Sequence, residues 1–162
     1  MTTWDDILAA VTASFAGRGD EPRRHLEACW DATTPDQAAQ RCVVAHYLAD
    51  QQDDVAEEAA WDERALAAHG SVGDEDLAPI GVPSASAFLP SLHLNLGDDY
   101  LRLGRRDDAA RHLTLAQESA DLLSDAGYGA MIRAGIEGLQ ARLTECGEGT
   151  GPDEAGEPPP VQ

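Results

Sequence analysis

The stretch "LHLNLGDDYLRLGRRDDAARHLTLA", Leu92 to Ala116, sets a helical pattern against a residue that helices disfavour. Leu92, Leu96, Tyr100 and Leu103 recur at i, i+4, i+8 and i+11, the apolar stripe of an amphipathic helix. Gly97 lies inside that stripe. In a helix interior a glycine costs roughly 1 kcal/mol relative to alanine, so its presence calls for a compensating contact.

Composition bounds what such a helix belongs to. The chain has 162 residues, 43% hydrophobic but only 5% aromatic, enough for one domain with an aliphatic, alanine-rich core. Thirty acidic residues oppose 11 basic ones, all arginine, giving a formal net charge of -19. Nucleic acid and anionic membranes would be repelled, so neither is an expected partner. The lack of lysine excludes Schiff-base chemistry and a phosphate loop ending in GK[ST]. No apolar run reaches the 18 or more residues of a membrane span, and Met1 leads into "TTWDDILAA" without a basic segment, so a soluble, cytoplasmic protein is expected. Cys29, Cys42 and Cys146 are odd in number and far apart, which fits neither a disulfide framework nor a zinc knuckle.

Nearly every segment reads as helix. Thr3 caps a helix carrying Trp4, Ile7, Leu8, Val11 and Phe15, and Gly17 ends it. A second follows Asp20 and Glu21, with Pro22 in its first turn and Leu26 and Trp30 on its apolar side. "TPDQ", Thr34 to Gln37, has the form of a capping box with Pro35 at the first helical position. Asp53 and Asp54 start the next helix, which stops at Gly70. From Gly70 to about Ser86 a looser connection is expected. The helix of the opening stretch ends at Gly104. Its partner runs from Asp107 to about Ser124, and a last helix from about Tyr128 to Leu143. Residues 1–145 are thus expected to form the helical domain, and 146–162, rich in Gly, Pro and Glu, a disordered acidic tail.

Two internal echoes organise these helices. "EACWD" at Glu27 to Asp31 returns as "EAAWD" at Glu58 to Asp62, and "QQDD" at Gln51 to Asp54 is echoed by "GRRDD" at Gly104 to Asp108. A repeated helix hairpin of about 30 to 35 residues follows, one that buries its apolar face only by stacking on neighbours.

With Leu96, Gly97, Tyr100, Gly104, Ala109, Leu113 and Ala116, the opening stretch resembles a tetratricopeptide repeat, most specifically over Pro90 to Leu123. Ala45, Leu48 and Trp61 extend the resemblance to Pro35 through Gly70. It implies an all-α, antiparallel helix-hairpin array of about seven helices wound into a right-handed superhelix. It also implies that Gly97 and Ala109 let two helices approach closely, which offsets the lost helix propensity. Proteins of this family are generally scaffolds that hold a partner in a concave groove. With Val44, Ala45, Leu48, Leu96, Gly97 and Tyr100 inward, the groove face carries Cys42, His46, Asp50, Leu94, Asp98, Leu101 and Arg102. Some members grip a C-terminal carboxylate there. Asn95 matches one of their asparagines by spacing, but Cys42 and His46 stand where a lysine and an asparagine belong, so no such clamp is expected and Asn95 reads as a local hydrogen bond.

The expected function is therefore a non-catalytic adaptor binding a protein or peptide, one that the acidic loop Asp74 to Asp76 favours being basic. The competing reading is a small-molecule or catalytic pocket centred on Cys42, His46 and Asp98, with Cys42 and His46 as thiolate and base. A third is a homodimer through the exposed edge of the last hairpin, which the final helix is expected to cap. Histidines near carboxylates, His46 with Asp50 and His112 with Asp108, form neither HExxH nor a di-iron pattern, so no metal and no cofactor are expected. His93 reads as a buried filler and His112 as a surface residue. Arg102, Arg105, Arg106 and Arg111 read as charge balance for adjacent aspartates.

Overall fold

Thr3 opens the first helix as its sequence predicts. In the computed structural model, which describes residues 2–148, the Asp6 N–H donates to Thr3 Oγ1 at 3.2 Å and the Thr3 N–H donates to Asp6 Oδ2 at 3.0 Å. This reciprocal capping box starts α1, Trp4–Ser14. Helix α2 covers Asp20–Ala32, with Asp20 and Glu21 in its first turn, where carboxylates favour the helix dipole.

The "TPDQ" segment departs from expectation. Helix α3 begins only at Ala38 and runs to Ala49, and Thr34 to Gln37 form a turn ahead of it. The Thr34 N–H does donate to Gln37 Oε1, at 3.2 Å, but Gln37 Nε2 also donates to the Thr2 carbonyl at 2.9 Å. Held at both ends, Gln37 keeps a non-helical backbone (φ -93°, ψ 54°) and caps the helix instead of joining it.

Asp54 caps α4, Val55–His69, by accepting the Ala56 and Glu57 N–H groups. The following connection is less loose than its glycines and prolines predict. It contains two 3-10 turns, Ala78–Ile80 and Ala85–Phe88, and buries Leu77 and Phe88 completely or nearly so. Helix α5, Leu89–Arg102, ends in a Schellman motif: the Gly104 N–H donates to the Leu101 carbonyl and the Arg105 N–H to the Tyr100 carbonyl. Gly104 takes φ 76°, the left-handed conformation for which glycine is suited. Because α5 stops at Arg102, Leu103 lies beyond the apolar stripe and is exposed. Helix α6 covers Arg106–Glu118, and α7 covers Tyr128–Glu148. The last helix thus runs past Leu143 and includes Cys146; the rest of the expected tail, 149–162, lies outside the described residues.

Among the described residues the protein is all-helical, seven α-helices with no strand. The α3–α4 and α5–α6 pairs are the most extensive contacts; α4 packs on α5, α2 and α1 on α3, and α7 on both α5 and α6. One core joins Ile7, Leu26, Val44, Leu48, Leu77 and Leu92. A second joins Leu96, Tyr100, Ala109, Leu113, Ile136 and Leu139. Helices α4 and α5 supply both, Ala65 and Leu92 to the first and Ala59 and Leu96 to the second, so these two couple the halves. The echoed tryptophans meet directly: the Trp30 and Trp61 rings pack edge to face with centroids 5.1 Å apart.

Gly97 is where three helices converge. A Cβ added there would stand 2.6 Å from Leu139 Cδ2, 3.5 Å from the Ala109 carbonyl oxygen and 3.7 Å from His112 Cβ. The close approach to Ala109 on α6 is present, and the tightest contact comes from α7. Gly135 on α7 answers it, since a Cβ there would stand 2.6 Å from Leu94 Cδ2.

Candidate functional site

The helices leave a cleft of about 320 Å³ between α3, α4, α5 and α7. Asp50 at the end of α3, Glu58 on α4, and Leu94, Asn95, Asp98 and Asp99 on α5 line it, with Gly135 and Arg142 from α7. Beside it, and sharing Asp50 and Asn95, lies a second cleft of about 250 Å³ walled by Phe15, Tyr47, Tyr128 and Met131. One end of this continuous depression is acidic and the other aromatic.

Two arginines hold the acidic end together. Arg102 donates through Nη1 and Nη2 to Glu58 Oε2 at 2.9 and 2.5 Å and lies 3.4 Å from Asp98 Oδ2 and 3.6 Å from Asp99 Oδ1. Arg142 donates to Asp98 Oδ1 at 2.5 Å, tying α7 to α5. Arg18 caps the end of α3, donating to the Asp50 and Gln52 carbonyls.

Behind the cleft wall sit two acids that the sequence reading did not single out. Asp62 and Asp99 are each 1% exposed, and no N–H of the described residues donates within hydrogen-bond distance to either Asp62 oxygen or to Asp99 Oδ2. Burial, followed by the charges of Asp62 and Glu58 and a hydrogen bond to Asp62, pushes Asp99 up to about 9 against the opposing pull of Arg102. Asp99 therefore keeps its proton at neutral pH and can donate it to Asp62. Their signal was present: Asp99 stands at i+7 from Leu92 and i+3 from Leu96, and Asp62 lies between Ala59 and Ala65, so each acid interrupts an apolar stripe. Loss of hydration also holds Glu58 and Asp50 above the usual carboxylate range, although Arg102 and His46 respectively oppose it.

His46 bridges cleft and core. Its Nδ1 faces Asn95 Nδ2 at 3.4 Å and Asp62 Oδ1 at 3.6 Å, and its ring meets Phe88 and Tyr47 edge-on. Burial works against protonating His46, but the Asp62 carboxyl facing it at 3.6 Å and the charge of Asp50 outweigh it and hold the imidazole above its ordinary value. Asn95 is therefore an inter-helix contact between α5 and α3, not the local hydrogen bond its spacing predicts.

Of the expected groove residues, Asp50, Leu94 and Asp98 line the acidic cleft, and Asp50 with the buried His46 lines the aromatic one. Arg102 binds the cleft's acids, while Leu101 packs half-buried against the second core. Cys42 is misplaced by the sequence reading: it is fully buried in the first core. Helix α3 buries Ala39, Cys42, Val43, Val44, Ala45, His46, Leu48 and Ala49, leaving too little polar surface for a one-sided reading to apply. Burial, with Asp62 nearby, pushes the Cys42 thiol up to about 12, so it carries no thiolate at neutral pH and the proposed nucleophile is absent from the cleft.

His112 corrects another expectation. It is buried, and its Nδ1 lies 3.0 Å from His93 Nδ1, so one ring donates and the other accepts. Burial, with the charges of His112 and His69, brings His93 down to about 4; burial and Arg111 also lower His112. The folded state therefore binds fewer protons than the unfolded one between about pH 4 and 6.5, and stability is lost as pH falls through that window. Thermal unfolding at pH 7 and 4.5 should show a smaller acid-induced loss in a His93→Leu, His112→Leu variant than in the intact protein; an equal loss contradicts the assignment. Arg105 and Arg111 both pair with Asp108 as expected, whereas Arg106 donates to the Leu143 carbonyl and fastens α6 to α7.

The site so defined is a mixed acidic and aromatic cleft in an all-helical protein, and no group of three potential metal ligands occurs among the described residues. Compared with known protein families, characterised proteins and solved structures, the chain matches none. No helix among the described residues is long and apolar enough to cross a membrane.

Proposed function

We propose that the chain is a non-catalytic adaptor of tetratricopeptide type, its hairpins wound in a right-handed array, that holds a segment of a basic partner protein in the cleft. The observation that carries this reading is the continuous depression between α3, α4, α5 and α7, with acids at one end and aromatic side chains at the other. The packing order supports the array: consecutive helices pair, and the odd-numbered ones also meet, α1 on α3, α5 on α7, and α3 with α5 through His46 and Asn95. The approach of Gly97 to Ala109 supports the repeat. In this reading the protein works in the cytoplasm without a cofactor, and nucleic acid and anionic membranes are not its targets, given a net charge of -19.

Asp50 and Met131 are both exposed at the cleft, so an Asp50→Arg, Met131→Glu variant changes its surface without opening a core. In capture from native extract, the intact protein should retain a defined protein that this equally helical variant loses. Retention by both forms, or by neither, contradicts the adaptor reading.

A further inference from the structure

We propose, resting on the adaptor reading above, that the cleft receives a lysine side chain of an extended partner segment, its ammonium between Asp50 and Asp99 and an adjoining apolar residue on Phe15, Tyr47 and Met131. The cleft's resident arginines are already engaged, Arg102 on Glu58 and Arg142 on Asp98. Two lining acids keep an open acceptor, Asp50 on its whole carboxylate and Asp99, whose Oδ1 faces Arg102 at 3.6 Å, on Oδ2. The Asp50 carboxylate takes no hydrogen bond or ion pair among the described residues, for Arg18 meets its backbone carbonyl instead. Asp99 is 1% exposed, and its Oδ2 is reached by no N–H donor among the described residues. A buried acceptor left in this way costs stability, and a donor brought by a ligand recovers it. In the free protein Asp99 keeps its own proton; an arriving ammonium supplies N–H donors and a positive charge, and that proton leaves to solvent.

Geometry favours lysine over arginine. The open acceptors belong to separate carboxylates on different helices, α5 and the end of α3, and not to one carboxylate presented side-on. A compact ammonium with three diverging donors suits two separate acids, whereas the planar guanidinium fork suits one carboxylate, the arrangement in which Arg102 already meets Glu58. The chain has no lysine of its own, so none of its side chains competes. The apolar half of the depression fixes the rest of the occupant: Phe15 is 70% and Met131 60% exposed, large apolar surface adjoining Asp50 with no helix of the described residues over it. An isolated polyamine would leave that surface uncovered.

The test uses the full chain and dye-labelled pools of acetylated hexapeptide amides, each with one central position fixed as lysine, acetyl-lysine, arginine, glutamate or leucine, followed by fluorescence anisotropy. The lysine pool should bind at least tenfold more tightly than the acetyl-lysine pool and more tightly than the arginine pool. Asp50→Asn and Asp99→Asn should each weaken the lysine pool about tenfold without lowering the thermal midpoint, and Met131→Glu should weaken it too. Asp50 is exposed, so its variant keeps the test decisive if the Asp99 variant fails to fold. If glutamate or leucine pools bind as well as lysine and respond to Met131→Glu, the ammonium site is overturned while the adaptor reading stands. Equal binding of free spermidine overturns the partner segment, and binding of no pool overturns the adaptor reading together with this one.

Discussion

Replacing Gly97 by leucine should lower the thermal midpoint by about 6–12 °C, the equivalent of about 3 kcal/mol for a domain of this size. The reason is local. A single added carbon already reaches 2.6 Å from Leu139 Cδ2, and Leu139 is fully buried, so it has no solvent to move into. On the other side the Ala109 carbonyl and the His112 side chain leave no room for a branched group. Gly97→Ala should fall between, because the roughly 1 kcal/mol gained in helix propensity opposes the displacement of Leu139. Gly97→Leu should also loosen α7, which walls the cleft through Gly135 and Arg142. An unchanged midpoint for Gly97→Leu would mean that α5, α6 and α7 do not converge at this residue.

Asp99→Asn should raise stability above pH 7 and flatten its dependence on pH. The sign follows from the proton. Asp99 titrates near 3.8 when unfolded and at about 9 in the fold, so between those values the folded state holds the extra proton. Stability then falls as pH rises through the window, by no more than about 1.4 kcal/mol per pH unit, the limit for one proton. His46, also held above its ordinary value, contributes in the same direction and is retained in the variant. Asparagine cannot ionise, and its amide can donate to Asp62 in place of the Asp99 carboxyl proton. Thermal melts of both proteins at pH 6, 7 and 8 check this. A variant that parallels the intact protein, or lies below it at pH 8, would remove Asp99 from the role of proton holder.

Much of the fold is legible one residue at a time. Thr3 with Asp6, Asp54, and Gly104 act through neighbours a few positions away, so local chemistry marks where α1 and α4 begin and where α5 ends. Gln37 misled because its decisive partner, Thr2, is 35 residues distant. The extension of α7 was hidden by Gly147, whose low helix propensity is overridden where Arg106 grips the Leu143 carbonyl. Part of the cleft was legible as well. Asp50, Leu94 and Asp98 follow from placing polar residues beside an apolar stripe. That rule fails for α3, which is buried on nearly every side, and so it brought Cys42 outward. Asp62 and Asp99 were missed because acids were sought on the polar faces, whereas these two occupy apolar ones and lie against each other only in three dimensions.

The most direct measurement is a ¹⁵N–¹H correlation spectrum of the full chain titrated with the lysine-fixed peptide pool. The account predicts that shifts concentrate on Asp50, Leu94, Asn95, Asp98 and Gly135, with smaller ones at Tyr47 and Met131, all of which line the two adjoining clefts. Shifts centred instead on the exposed faces of α2 and α6, or a spectrum that peptide leaves unchanged, would contradict it.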